Sequence, residues 1–131
     1  KGESDLSEFA KSPNVSIVAM ADVDDRAAAK SRKAYPNANY YHDFREMLEK
    51  EKNNIDACSI STPDNTHAVA TIAAMQLGKH VYTQKPLTHD IYEARMLTEA
   101  GEAPFRIGHL EASSGPAGIR IENLPSTWPR G

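Results

Sequence analysis

Three short apolar runs in this chain stop at residues able to do chemistry. Val15–Ala21 ends at Asp22, Ile55–Ser61 ends at Thr62 and Pro63 with His67 just beyond, and Val81–Thr83 passes through Gln84 to Lys85 and Pro86. Proline fixes φ, cannot donate to a sheet and keeps the preceding residue out of helical geometry, so Lys85 is expected at the mouth of a strand. In an open parallel sheet, ligands bind in the crevice outside the carboxyl ends of the strands. The three groups should therefore line one edge and face whatever the sheet binds. An aspartate ending the second strand of a dinucleotide-binding unit accepts hydrogen bonds from ribose hydroxyls, about 20 residues past a glycine-rich turn. Counting back from Asp22 reaches Lys1–Gly2, which fits the last remnant of such a turn, although no G-x-G-x-x-G is present.

Each group also has a plainer reading. Asp22 and Asp24 suit helix capping and the dipole of a helix N-terminus. The stretch from Thr62 to His67 suits a simple loop-to-helix signal. Lys85 suits a solvated turn lysine, although a desolvated lysine beside a cofactor would be electrostatically useful. His42, His80, His89 and His109 lack metal-ligand spacing and cysteine neighbours, which argues against a metal site. The single cysteine, Cys58, lies inside an apolar run. That excludes an internal disulfide or a cysteine-based zinc site and suits a buried structural thiol.

Alternating strands and helices are needed to carry these ends. Leu6, Phe9 and Ala10 fall at helical spacing and predict a helix over Ser4–Lys11, with Ser4 or Asp5 as its cap. Pro13–Asn14 ends it. The nearly continuous apolar run Val15–Ala21 predicts a parallel strand buried on both faces. Asp24 and Asp25 open an alanine-rich helix to about Tyr35, and Ala38–Tyr41 suits a short edge strand. Asp43 caps the next helix, with Phe44, Met47 and Leu48 inward and Glu46, Glu49, Lys50 and Lys52 solvated. After a break at Asn53–Asn54 come the strand Ile55–Ser61 and a helix Thr66–Leu77, with Gly78 at the left-handed position past its end. A last helix, Ile91–Ala100, presents an apolar face of Ile91, Ala94 and Thr98. Short loops between such elements imply βαβ units, hence an α/β fold with part of a doubly wound parallel sheet. Residues 101–131 break the pattern with Pro104, Pro116, Pro125 and Pro129. Only Phe105–Ile107 and Ile119–Ile121 suit strands there, so an irregular tail is expected.

At 131 residues and 40% hydrophobic, the chain has material for one domain with one modest core. A net charge of −3, with acids and bases interleaved, gives no basic footprint and argues against nucleic acid as a partner. No apolar run reaches the ~20 residues of a membrane span, so no membrane partner is expected. No signal peptide is visible, although the chain opens at Lys1 rather than methionine, which leaves room for a removed leader.

Ala-Asp-Val-Asp at 21–24, Ser-Thr-Pro-Asp-Asn-Thr-His at 61–67, Gly-Lys-His-Val-Tyr at 78–82 and Gln-Lys-Pro-Leu at 84–87 are four motifs in a fixed order. Together they resemble the glucose–fructose oxidoreductase / inositol dehydrogenase / rhizopine catabolism (Gfo/Idh/MocA) family, from about Asp5 to Ala100. The resemblance implies that residues 1–100 are part of a Rossmann domain binding NAD(H) or NADP(H), without the first strand and glycine-rich loop, followed by a tail of uncertain origin at 101–131. It implies that Asp22 holds the adenosine ribose and that Thr62, Pro63 and His67 line the dinucleotide cleft. Lys85 would be the catalytic residue beside the nicotinamide and the reacting hydroxyl, with Gln84 next to it. Gln84 stands where the family usually has glutamate, which removes a charge beside Lys85.

NAD is favoured over NADP, because Asp22 repels a 2′-phosphate. The activity implied for the parent enzyme is hydride transfer between NAD(P) and the hydroxyl of a small-molecule sugar or cyclitol. A homo-oligomeric, cytoplasmic parent is expected, with export as the alternative. The piece alone is expected not to catalyse and to bind NAD weakly. Two other functions stay open: a glycosidase of the same superfamily that oxidises its sugar transiently, and a non-catalytic Rossmann-like binding module.

Overall fold

A computed structural model of the chain describes residues 1–102. The expected tail, its two candidate strands and His109 lie outside the described residues. The elements run α1 (Gly2–Phe9), β1 (Ala19–Ala21), α2 (Asp25–Ala34), β2 (Asn39–Tyr41), α3 (Phe44–Glu51), β3 (Ala57–Ile60), a 3₁₀ turn (Asp64–Thr66), α4 (His67–Gln76), β4 (His80–Thr83) and α5 (Ile91–Glu102).

Helix boundaries follow local chemistry. Asp24 and Asp43 have extended backbones and each accepts the N–H two residues on, from Arg26 and Arg45, at 2.9 Å. Each carboxylate thus satisfies a donor that the first turn of a helix leaves without a partner. Gly78 ends α4 with φ 70°, the left-handed conformation that a Cβ disfavours, while its N–H reaches the Met75 carbonyl at 2.8 Å. α1 begins earlier than its sequence suggests. Its N-cap is Lys1, so Ser4 and Asp5 lie within the helix and neither caps it.

Among the described residues all strand pairing is parallel, in two separate pairs. β1 runs beside β2 from Ala19↔Asn39 to Ala21↔Tyr41, and β3 beside β4 from Ala57↔His80 to Ile60↔Thr83. One helix crosses over within each pair, α2 in the first and α4 in the second, as parallel pairing requires. Among the described residues no ladder joins β1 to β3. This differs in one respect from the expected long buried strand at 15–21: only Ala19–Ala21 pair, they are half-buried, and Val15 is 39% exposed. A strand is only as long as the ladder it enters, and β2 supplies three residues.

One apolar cluster ties the two pairs together. Leu48 of α3, Ile55 before β3 and Ala74 of α4 are buried in contact, packed by Val18, Phe44, Met47, Cys58 and Val81. Burying a leucine such as Leu48 is worth about 1.5–3 kcal/mol. Burial pushes the Cys58 thiol up, with Lys79 acting the other way, as befits a packing residue rather than a nucleophile. Beside this cluster the buried Glu51 carboxylate accepts from Tyr41 Oη, Asn39 Nδ2 and Asn54 Nδ2 at 2.6, 2.7 and 2.9 Å, pinning β2 to the end of α3.

α5 rests on α4 through a face that keeps the expected Ala94, which is half-buried, but not Ile91 or Thr98. Leu97 is buried, whereas Ile91 is 73% exposed and Thr98 is exposed. Leu97 is the large aliphatic residue in the middle turns of α5, and docking follows it rather than the residues at the helix start. Among the described residues no helix is long and apolar enough to cross a membrane.

Candidate functional site

Of the residues singled out from the sequence, those following β3 and β4 are brought together by one side chain. His67, the first residue of α4, is 2% exposed and is the largest fully buried side chain described. Its Nδ1 lies 2.7 Å from the Pro86 carbonyl oxygen and its Nε2 lies 2.8 Å from the Thr62 carbonyl oxygen. Both partners only accept. A neutral ring therefore donates to one of them, and a doubly protonated ring to both. His67 thus belongs to the site through the backbone it holds: the turn after β3 is pinned to the turn after β4, with Lys85 just before the pinned carbonyl. Thr62 and Pro63 are exposed on that turn, and Thr66 Oγ1 sits 2.8 Å from both the Thr62 hydroxyl and the Pro63 carbonyl.

Lys85 leaves the end of β4 through a cis peptide to Pro86. Its side chain is exposed and makes no ion pair among the described residues. Gln84 is the opposite, buried at 9% exposure. Its Oε1 accepts the Lys85 backbone N–H at 3.1 Å, and its Nε2 donates to Asp5 Oδ2 at 3.0 Å. Asp5 was missed as a site residue by sequence reasoning. The available signal was an acid beside the apolar stripe Leu6–Phe9–Ala10 of a short helix, where an exposed residue would sit toward water. Its carboxylate also accepts from Ser61 Oγ at 2.6 Å and pairs with Lys1 Nζ at 2.8 Å. Burial pushes the Asp5 carboxyl up, but hydrogen bonds from Lys1, Ser61 and Gln84 outweigh it and hold the group below the usual aspartate range.

Asp22 stands apart from this group, at the end of β1 in the other strand pair. Its Oδ1 accepts the Asp24 N–H at 2.9 Å, turning the chain into the N-cap of α2, and Tyr40 Oη donates to its backbone carbonyl at 2.7 Å. The capping chemistry falls to Asp24. The second oxygen of Asp22 accepts no hydrogen bond among the described residues.

A dinucleotide needs an acceptor for ribose hydroxyls, donors for its diphosphate and a polar group at the nicotinamide end. Asp22 suits the first and Lys85 the last. For the second, no side chain caps α1, so the N–H groups of its first turn stay available. That turn lies against the end of β3, close enough that a Cβ on Gly2 would meet Ser61 Cβ at 3.7 Å. Glu3 in the same turn is taken up by an ion pair to Lys30. The residues present therefore fit such a ligand. Two recesses, one lined by Ala29, Arg32, Pro36 and Tyr40 and the other by Ser16, Asn39 and Asn53, include none of Asp22, Thr62, Pro63, His67 and Lys85 in their lining.

Comparison with known proteins identifies the family and the fold. Residues 2–104 match a family described as an oxidoreductase family with an NAD-binding Rossmann fold. An uncharacterized oxidoreductase of Schizosaccharomyces pombe is 37% identical over 75 residues, which cover 57% of this chain and 20% of that protein. A glycosyl hydrolase family 109 protein of Shewanella woodyi is 31% identical over 111 residues, covering 78% of this chain and 23% of that protein. The crystal structure of myo-inositol 2-dehydrogenase from Lactobacillus plantarum superposes with a TM-score of 0.69 at 28% identity, covering 76% of this chain and 29% of that one. The chain thus spans between 20% and 23% of the length of these two curated relatives.

Proposed function

We propose, for a chain that belongs to the Gfo/Idh/MocA oxidoreductase family, that it is part of an enzyme transferring a hydride between a nicotinamide cofactor and the hydroxyl of a sugar or cyclitol. The observation that carries this reading is Lys85 at the carboxyl end of β4, fixed beside the end of β3 by the His67 bridge between Thr62 and Pro86. When bound, the nicotinamide supplies the hydride acceptor. The exposed Lys85 ammonium polarises the substrate hydroxyl and takes part in moving its proton. Thr62 and Pro63 present the surface on which the dinucleotide rests, and His67 keeps that surface at a fixed distance from Lys85. The free oxygen of Asp22 accepts the adenosine ribose hydroxyls and repels a 2′-phosphate, which favours NAD over NADP.

In this reading residues 1–100 form the part of a Rossmann domain that follows its first strand. Among the described residues β1 and β3 each pair on one side only, which leaves the other edge for that strand. The 131-residue piece then binds NAD weakly and does not turn over. Calorimetric titration of the piece with NAD reads the first point, and sub-micromolar affinity overturns it. Lys85→Ala in the full-length protein reads the chemistry: hydride transfer should fall by about 10²–10⁴-fold, and unchanged turnover removes Lys85 from the mechanism.

The family 109 relative favours a second reading, an NAD-dependent glycosidase in which the sugar is oxidised only transiently. Net glycoside cleavage by the full-length protein without NADH accumulation would select it.

A further inference from the structure

We propose that Asp5 is a positioning residue for Lys85, acting through Gln84; this rests on the reading of Lys85 given above. Asp5 belongs to α1 and Gln84 to the end of β4, 79 positions apart in the chain. An ionised carboxylate only accepts, and all three of its side-chain partners, Lys1, Ser61 and Gln84, donate. Because Asp5 claims the amide nitrogen of Gln84, the amide oxygen is left on the opposite side, where it accepts the Lys85 N–H. The amide is therefore held in one of its two flip states. The backbone from which the Lys85 side chain departs is held with it.

The same geometry explains why glutamine suits position 84 in this chain. An ionised glutamate there would set a second carboxylate about 3 Å from Asp5 with no proton between them, a like-charge contact in a buried place. Asp5 and Gln84 are thus a matched acceptor and donor. Exchanging their chemistry, Asp5→Asn with Gln84→Glu, restores a donor and an acceptor on the same line, and the new carboxylate can still accept the Lys85 N–H.

Hydrogen exchange at the Lys85 backbone amide, measured by NMR on the 131-residue chain at pH 7, tests this without any cofactor or turnover. Gln84→Glu and Asp5→Ala should each speed that amide by about tenfold, the scale of one lost net hydrogen bond. Amides of α4 should be unaffected, which a general loss of fold would not produce. The double variant Asp5→Asn/Gln84→Glu should return the Lys85 amide to within about threefold of its original rate. Lys85 exchange that ignores Gln84→Glu in a folded chain, or a double variant no better than Gln84→Glu alone, overturns the proposal. Should Asp5→Ala unfold the chain, the comparison of Gln84→Glu with the double variant still decides. Failure of Lys85→Ala to affect turnover would instead overturn the catalytic reading and leave the exchange result standing.

Discussion

His67 Nδ1 stands 2.7 Å from the carbonyl oxygen of Pro86, so a residue at the start of α4 fixes the backbone just past Lys85. The ring fills a fully buried place and ties two turns at once. Replacing His67 with alanine removes a fully buried ring and the hydrogen bonding that ties the Thr62 and Pro86 carbonyls together. The expected cost is about 2–4 kcal/mol, read from the urea midpoint at constant m-value. A loss under about 0.5 kcal/mol would mean that water replaces the ring on both carbonyls.

Leu48 joins α3 to the core shared by both strand pairs. Leu48→Ala should destabilise by about 2–4 kcal/mol through lost transfer energy and the cavity left behind. Leu48→Met, which conserves volume, should cost under about 1.5 kcal/mol. Equal losses for the two would show that shape rather than burial sets the cost.

Acid should unfold the chain through two particular carboxylates. In Asp5, hydrogen bonds from Lys1, Ser61 and Gln84 overcome the effect of burial, and in Glu51 those from Asn54, Tyr41 and Asn39 do the same. Both folded values lie below the ordinary 3.8 and 4.5 of the unfolded chain. Their stabilisation is complete above those ordinary values. As pH falls from there toward the folded values, the unfolded chain binds protons first and stability is lost. Urea midpoints measured between about pH 6 and pH 2.5 should fall on the acid side, and Asp5→Asn or Glu51→Gln should each flatten that limb. A limb unchanged in both variants would assign acid unfolding to the surface carboxylates.

Gly78 occupies φ 70° between α4 and β4. Gly78→Ala should cost about 1 kcal/mol, because the Cβ strains a left-handed residue by more than the lost flexibility of the unfolded chain returns. Thermal unfolding of the two proteins checks it. A stabilised variant would mean that the turn relaxes to negative φ.

Asp22 should set cofactor choice in the full-length protein. Asp22→Ser removes the charge facing a 2′-phosphate, and the preference for NAD over NADP, measured as the ratio of kcat/KM values, should fall by at least about tenfold. An unchanged ratio would leave Asp22 as the turn residue that its bond to the Asp24 N–H already makes it.

Much of the fold was legible because its signals are local. Asp24, Asp43 and Gly78 declare helix ends by their own chemistry, and Phe44, Met47 and Leu48 mark the inner face of α3. What sequence reading missed depends on partners far along the chain. The length of β1 follows from how much of β2 lies beside it, and the face of α5 from what α4 offers Leu97. His67 was singled out by its motif, yet the reason for the motif, two carbonyls from different turns, exists only in three dimensions. Asp5 resembled an ordinary capping acid until Gln84 and Ser61 were seen against it.

The division into β1–α2–β2 and β3–α4–β4 also bears on how the chain folds. Each pairing closes across a single helix, so the entropy of bringing its strands together is small, and neither pairing must wait for the other. Such units can form in either order. Their docking through Leu48, Ile55 and Ala74 buries the shared core and is the step that stabilises the whole. Neither two-stranded pair holds that core without the other, so a destabilised chain should lose both pairs in one transition.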